Sequence, residues 1–346
     1  MSRLLIRADA GPAIGAGHVM RCLALAEAWQ RAQAGPVTLA AVDLPPALGQ
    51  RLREAGVELA SVPGPAGGAA DLRATSELAR SSADACVIDG YVFDRGFQHA
   101  LRQLATTLVV DDGHRVDGFD CDLLLDQNLG ASEAWYAPLA PDAERLLGTR
   151  YALLRHEFLD AAPPAARTGR RVLVTLGGSD PAGLSEATAR ALAEHAADEP
   201  PVDVTLVLGG SNPRADAVAS ALADLPVTIH RDARNMPELM AHADIAVAAA
   251  GSTCWELCHS GLPAVLVVVA DNQRDIAANL DAAGAAISLG WHADLDAAAL
   301  AAAARRLLAA PADRAAMAKT ARALVDGQGA DRVARRLLAR AAPSSR

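Results

Sequence analysis

The sequence predicts an α/β protein built as two Rossmann-like parallel-sheet domains facing across a cleft. Three observations lead there. The chain has 346 residues, more than one hydrophobic core usually serves, so two domains of roughly 150 to 180 residues are expected. Short apolar runs alternate with helical patterns on both sides of a proline-rich stretch, as βα units of a parallel sheet do. Each half also carries a glycine-rich turn between a strand and a helix, at the sheet edge where open α/β folds bind ligands.

In the first half, Leu4 to Ile6 reads as a strand, followed by a helix from about Val19, a strand from Val37 to Val42 and a helix near Leu48 to Ala55. Ala85 to Ile88, Leu108 to Val110 and Leu123 to Leu125 continue the strands. Ala161 to Gly169, rich in proline and alanine, is the best linker. The second half opens with Val172 to Leu176 and continues through Val204 to Leu208, Val227 to Ile229, Ile245 to Val247 and Ala264 to Val269. Each run is almost wholly apolar, as a strand covered on both faces should be. Leu295 to Ala342 has helical spacing and enough polar residues for surface helices. The expected division is a domain over 1–160, a second over 170–330 and a terminal helix or tail over 331–346.

The turn Ile14-Gly-Ala-Gly-His18-Val-Met-Arg21 follows the first strand and opens a helix whose Val19, Leu23, Ala26 and Trp29 form one stripe. Gly15 and Gly17 let backbone approach a ligand, and a helix N-terminus favours negative charge. His18 and Arg21 are three apart, so imidazole and guanidinium share a side of the helix, and a neutral imidazole there can take a proton from water. The alternative is a tight turn with His18 as a helix cap. The spacing departs from the dinucleotide fingerprint, because Arg21 stands where a third glycine would be needed, which argues against NAD.

Asp89, Tyr91, Asp111, Asp112, Asp126 and Asn128 follow apolar strands, where they either line a ligand site or cap helices and turns. Asp111 and Asp112 make a poor metal pair, since neighbours on a strand point to opposite faces. In the second half, Thr175-Leu-Gly-Gly-Ser-Asp180 offers backbone amides at Gly177 and Gly178. Ala250-Gly-Ser-Thr-Cys-Trp-Glu256 offers donors from Gly251, Ser252 and Thr253 for phosphate oxygens, with Glu256 a turn further on for ribose hydroxyls. A capping box of Ser252 and Glu256 is the alternative. Asn272 and Gln273 end the strand Val265 to Val269, either as amides for a sugar or as a solvent loop.

Composition narrows the function. Hydrophobic residues make up 51% and charged residues 21%, and no apolar run approaches the ~20 residues of a membrane span. Met1 to Asp9 reads as a strand interrupted by Arg3, Arg7 and Asp9, so neither membrane insertion nor a signal peptide is expected, and the cytoplasm is the expected location. Five scattered cysteines fit reduced thiols, with Cys254 and Cys258 as packing residues rather than zinc ligands. A net charge of −9 disfavours nucleic acid, which leaves small molecules as partners and a monomer as the default.

Taken together, the motifs around His18, Asp89 to Tyr91, Asp111-Asp112, Asp126 to Asn128, Tyr151 to Arg155, Gly177 to Asp180, Gly251 to Glu256 and Asn272-Gln273 resemble the UDP-sugar hydrolases of the pseudaminic acid pathway. The resemblance runs in order from about residue 4 to 280. It implies a GT-B fold, similar to the lipid II-forming N-acetylglucosaminyltransferase, and release of UDP from UDP-2,4-diacetamido-2,4,6-trideoxy-β-L-altropyranose. By that resemblance water attacks the anomeric carbon with inversion, without cofactor or metal. His18 is then the general base, with Tyr91 and Asn272 supporting the reacting sugar. Gly15, Gly17, Arg21, Asn128 and Gln273 line the substrate, and Gly177, Gly178, Met236, Gly251, Ser252, Thr253 and Glu256 hold the nucleotide. Local departures in Asp89 to Asp94 and Asp111 to Arg115 leave the sugar less defined than the nucleotide. A glycosyltransferase of the same fold is the rival, although residues 1–155 carry 14 Lys and Arg against 19 Asp and Glu, which argues against a lipid acceptor. A silent nucleotide-sugar binding subunit is the third reading.

Overall fold

In the computed structural model, residues 2–11, 14–113, 116–161, 169–180, 182–194 and 200–341 are described. The chain divides into one unit of Met1–His156 with Gly327–Arg346 and a second of Glu157–Asp326. Residues 162–168 of the expected linker lie outside the described residues.

The first unit runs β1 (Leu4–Ala8), α1 (Gly17–Arg31), β2 (Val37–Ala41), α2 (Pro46–Glu54), β3 (Glu58–Ser61), α3 (Ala69–Ser82), β4 (Ala85–Asp89), α4 (Arg95–Arg102), β5 (Thr106–Asp111), β6 (Leu123–Asp126), α5 (Glu133–Leu139) and β7 (Glu144–Leu147). Its parallel sheet has the order β3-β2-β1-β4-β5-β6-β7. The order reverses between β1 and β4, which pair with Ala8 opposite Asp89. Such a reversal is where open parallel sheets bind ligands, and Asp89 ends β4 at that point.

The second unit follows a short α6 (His156–Leu159) with β8 (Arg171–Thr175), α7 (Leu184–Ala193), β9 (Asp203–Leu208), α8 (Ala215–Ala221), β10 (Val227–Arg231), α9 (Met236–His242), β11 (Ile245–Ala249), α10 (Thr253–Ser260), β12 (Ala264–Val268), α11 (Arg274–Ala282), β13 (Ile287–Trp291), α12 (Ala297–Leu308) and α13 (Pro311–Leu324). Its parallel sheet has the order β10-β9-β8-β11-β12-β13, reversing between β8 and β11.

The final helix, α14 (Gly329–Ala341), belongs to the first unit rather than forming a separate tail. Ala330, Val333, Ala334 and Leu337 recur at helical spacing and join α1 in one buried cluster with Leu23 and Trp29. Arg31 and Asp331 tie the same pair of helices at 2.6 Å. Because α1 is covered by the sheet on one side and by α14 on the other, Val19, Cys22, Leu25 and Trp29 are all buried.

Edge strand β10 departs from the apolar expectation, being only partly buried, and β1 carries a buried charge. Arg7 in β1 is buried, but it donates to both Asp71 oxygens at 2.8 and 2.9 Å, pairs with Asp9 at 2.8 Å and lies over the Phe93 ring. Burial alone would lower its pKa, and these two carboxylates more than offset that, as a buried charge requires. Among the described residues, no helix is long and apolar enough to cross a membrane.

Candidate active site

In the first unit β1 ends at Ala8, and Gly11 and Gly15 then bridge through mutual backbone hydrogen bonds before α1 begins at Gly17. Gly15 has φ +73°, which an L side chain adopts only with strain. This tight return sets His18 and Arg21 on the first turn of α1, facing the end of β4.

Both converge on Asp89. Arg21 clamps this carboxylate with Nε to Oδ2 at 2.7 Å and Nη2 to Oδ1 at 2.6 Å, and the His18 Nδ1 lies 2.6 Å from Oδ1. Burial pushes Asp89 up, yet Arg21 and then His18 outweigh it and hold the carboxyl well below the usual range. An ionised Asp89 requires His18 Nδ1 to carry the proton, so the 3.1 Å approach of Arg21 Nη2 to Nδ1 is a contact between two donors. The other ring nitrogen, Nε2, is then the basic one, and it has no hydrogen-bond partner among the described residues. A carboxylate that fixes the tautomer and supports the imidazolium is the arrangement a histidine base needs.

Tyr91 stands beside this dyad. Its ring meets His18 edge-on at 4.9 Å, and its hydroxyl donates to Asp112 Oδ2 at 2.7 Å. Arg21 Nη1 reaches the same oxygen at 3.3 Å, so one guanidinium links Asp89 and Asp112. Burial and the Asp112 charge raise the Tyr91 phenol strongly and keep it protonated. Asp112 thus points to the dyad while its neighbour Asp111 points to Tyr136, as alternation along a strand dictates. Asn128 follows β6, its backbone N–H donating to Asp126 Oδ1 at 2.9 Å.

In the second unit every nominated residue lies past the carboxyl end of a strand. Gly177 and Gly178 follow β8; Gly177 has φ +91°, and the Gly178 backbone presses so closely on Gly209 that no Cβ fits there. Gly251 and Ser252 lead from β11 into α10, which carries Thr253 and Glu256. The capping box does not form: Ser252 has helical dihedrals and makes no cap hydrogen bond. Asn272 and Gln273 form a single turn after β12, where Gln273 Oε1 accepts from the Val269 N–H at 3.0 Å. The Gln273 amide nitrogen lies 3.6 Å from where a side chain on Gly251 would begin, which brings these two loops together. Met236 is buried as the first residue of α9. Cys254 and Cys258 are buried in α10.

Over almost the whole chain the architecture matches solved glycosyltransferases. MurG of Acinetobacter baumannii aligns over 97% of this chain and 99% of its own at TM-score 0.64 and 21% identity. The spinosyn rhamnosyltransferase SpnG aligns over the same shares at TM-score 0.68 and 19% identity. The chain has the GT-B fold. Within this GT-B chain, residues 172–335 match the glycosyltransferase family 28 C-terminal domain, the segment that holds Gly177, Gly251, Glu256 and Asn272. The UDP-N-acetylglucosamine--N-acetylmuramyl-(pentapeptide) pyrophosphoryl-undecaprenol N-acetylglucosamine transferase of Sorangium cellulosum is 35% identical over 254 residues, 69% of this chain and 60% of its own length. The spore coat polysaccharide biosynthesis protein SpsG of Bacillus subtilis is 30% identical over 165 residues, 47% of this chain and 48% of its own length. The chain thus spans about two-fifths to three-fifths of the length of the curated relatives it matches.

Sequence reading offered Asp89 and Asp112 as ligand-site candidates but assigned neither a role. Asp89 and Asp112 were visible only as acids after strands, equally suited to capping. What distinguishes them is the adjacency of β1 and β4, which no local motif encodes. Tyr136 carried no signal at all.

Proposed function

We propose that this protein is an enzyme that hydrolyses a UDP-linked sugar, with His18 as the general base and inversion at the anomeric carbon. The observation that carries it is the His18–Asp89 pair at 2.6 Å, which leaves Nε2 as the basic nitrogen of an oriented imidazole. UDP is a good leaving group, so activation of water and donors to the diphosphate supply most of what the reaction needs. His18 removes a proton from water as its oxygen attacks the anomeric carbon. The bond to the diphosphate oxygen breaks, and UDP leaves as the anion. Asp89 stabilises the resulting imidazolium, and Arg21 keeps Asp89 ionised. Tyr91, held by Asp112, and Asn272 support the sugar, with Gly15, Gly17, Arg21, Asn128 and Gln273 along the substrate.

The second unit takes the nucleotide in this reading, through Gly177, Gly178, Met236, Gly251, Ser252, Thr253 and Glu256. The match of that segment to a glycosyltransferase family 28 domain supports the assignment. The specific substrate proposed is UDP-2,4-diacetamido-2,4,6-trideoxy-β-L-altropyranose, in the making of a surface polysaccharide or glycan. The similarity to a protein named for spore coat polysaccharide biosynthesis supports that setting.

A transferase is the second reading, favoured by the similarity to the N-acetylglucosamine transferase. The deciding measurement is UDP release from the sugar nucleotide without any acceptor, in wild type and His18→Ala. Turnover that falls at least ~100-fold in the variant supports hydrolysis with His18 as base. Release that requires an added acceptor makes the protein a transferase, and nucleotide-sugar binding without turnover makes it a binding subunit.

A further inference from the structure

The reaction proposed above leaves one buried acidic cluster of the first unit unused. Tyr136 in α5 is fully buried, its ring packed against Phe119 and Trp135 at centroid distances of 6.1 and 4.7 Å. Its hydroxyl lies 2.5 Å from Asp111 Oδ2 and 2.9 Å from Asp126 Oδ2. The two carboxyls end β5 and β6 and are paired directly in register.

A phenol has one proton and can donate it to only one oxygen. The second carboxyl oxygen at hydrogen-bond distance therefore needs a proton of its own, which it gives to the phenol oxygen. Among the described residues no Lys, Arg or His bonds to either acid. The further donors to the pair are backbone groups: the Gly113 N–H to Asp111 Oδ2 at 3.1 Å, the Asp112 N–H to Asp111, and the Asn128 N–H to Asp126 Oδ1 at 2.9 Å. Asp112, although its side chain turns toward the dyad, adds to the rise of both acids. His114 and Arg115 lie outside the described residues. Burial first, and then the neighbouring carboxylates, push Asp111 up to about 6 and Asp126 up to about 7.

The cluster borders the dyad through the chain itself. Asp111 precedes Asp112, the residue that holds Tyr91 and Arg21, and the two side chains leave the end of β5 in opposite directions. Asp126 holds the backbone of Asn128. We propose that Asp111, Tyr136 and Asp126 form a carboxyl pair sharing one proton across the phenol, and that this proton positions the ends of β5 and β6 so that Asp112 keeps Tyr91 and Arg21 beside His18. These are positioning residues, and their role rests on the reading of His18 as the base. Loss of the proton leaves two buried carboxylates beside Asp112, and their repulsion moves the end of β5 on which Tyr91 depends.

The test combines infrared titration of the carboxyl groups with the pH profile of UDP release, in wild type and Asp126→Asn. The amide is uncharged and supplies an N–H where the shared proton sat. Wild type should show a protonated-carboxyl stretch at about pH 6 that disappears by about pH 9, and the variant should lack it. The wild-type kcat should fall about tenfold per pH unit above the transition with little change in KM, and this alkaline limb should be absent in Asp126→Asn. Asp111→Asn should behave alike and serves if the first variant fails to fold. No protonated-carboxyl band in wild type overturns the shared proton. A band with an alkaline limb unchanged in both variants overturns the positioning role. Absence of turnover in every form defeats the His18 reading and the positioning role with it, while the band still decides the shared proton.

Discussion

Replacing Asp89 with asparagine removes one charge and almost no volume, so it isolates what the carboxylate does for His18. Two unit charges about 4 Å apart interact by about 4 kcal/mol at an effective dielectric of about 20. The base carries roughly half a charge in the transition state, so the direct loss is about 2 kcal/mol, or roughly 30-fold in rate. Asparagine also ceases to dictate the tautomer, since its amide can offer either a donor or an acceptor to Nδ1, and the expected total fall in kcat is about 100- to 10,000-fold. The variant has a second consequence. Arg21 keeps only Asp112, at 3.3 Å, and breaking a buried ion pair costs about 3 to 5 kcal/mol of stability. The assay is therefore continuous UDP release at saturating sugar nucleotide, below a melting temperature measured for each form. A folded Asp89→Asn protein with kcat within about threefold of wild type would refute the dyad, because losing the carboxylate charge alone should cost roughly 30-fold.

Four further outcomes are expected. Ser252→Ala should weaken UDP binding about 10- to 100-fold by calorimetry, as loss of a hydrogen bond to a charged group does. The two acids around Tyr136 have folded pKa values raised above the unfolded value, so stability is greatest in acid and declines as pH rises from about 4 to about 7; Asp126→Asn should stabilise the protein at about pH 8 by up to about 4 kcal/mol in urea titrations, with little change at about pH 4. Asp244 is the opposite case. It accepts from the Arg170 and Arg171 N–H groups and the Arg171 guanidinium, which outweigh burial and hold it well below the usual range. Its contribution is present above about pH 4 and lost as pH falls through the depressed value, so Asp244→Ala should lower stability by about 3 kcal/mol near neutral pH and by less in acid. Finally, Leu337→Ala, in the core shared by α1 and α14, should destabilise the first unit by about 2 to 5 kcal/mol, measured by hydrogen exchange of the β1 amides.

Much of the architecture is legible before any coordinates, because it rests on local chemistry. Apolar runs such as Val172 to Leu176 and Ala264 to Val268 have to be strands covered on both faces, and alternation with helices makes the sheets parallel. Gly15 and Gly177 mark turns that L side chains would strain, and His18 with Arg21 on one helical turn announces a polar site. The last helix shows the limit. Its stripe of Val333, Ala334 and Leu337 is evident, but which unit it covers depends on α1, some 300 residues away in the chain. Asp89, Asp112 and Asp126 look alike in sequence, each an acid after an apolar run. Strand order separates them: β4 beside β1 brings Asp89 to His18, side-chain alternation turns Asp112 toward Tyr91, and β6 beside β5 sets Asp126 against Asp111 and Tyr136. By itself the sequence determined the apolar strands, their alternation with helices and the chemical types available at the strand ends, since those follow from nearest neighbours along the chain. Only the tertiary structure decided which acid orients the histidine, which holds the tyrosine and which shares a proton, because those roles depend on distances of about 3 Å between residues 10 to 70 positions apart.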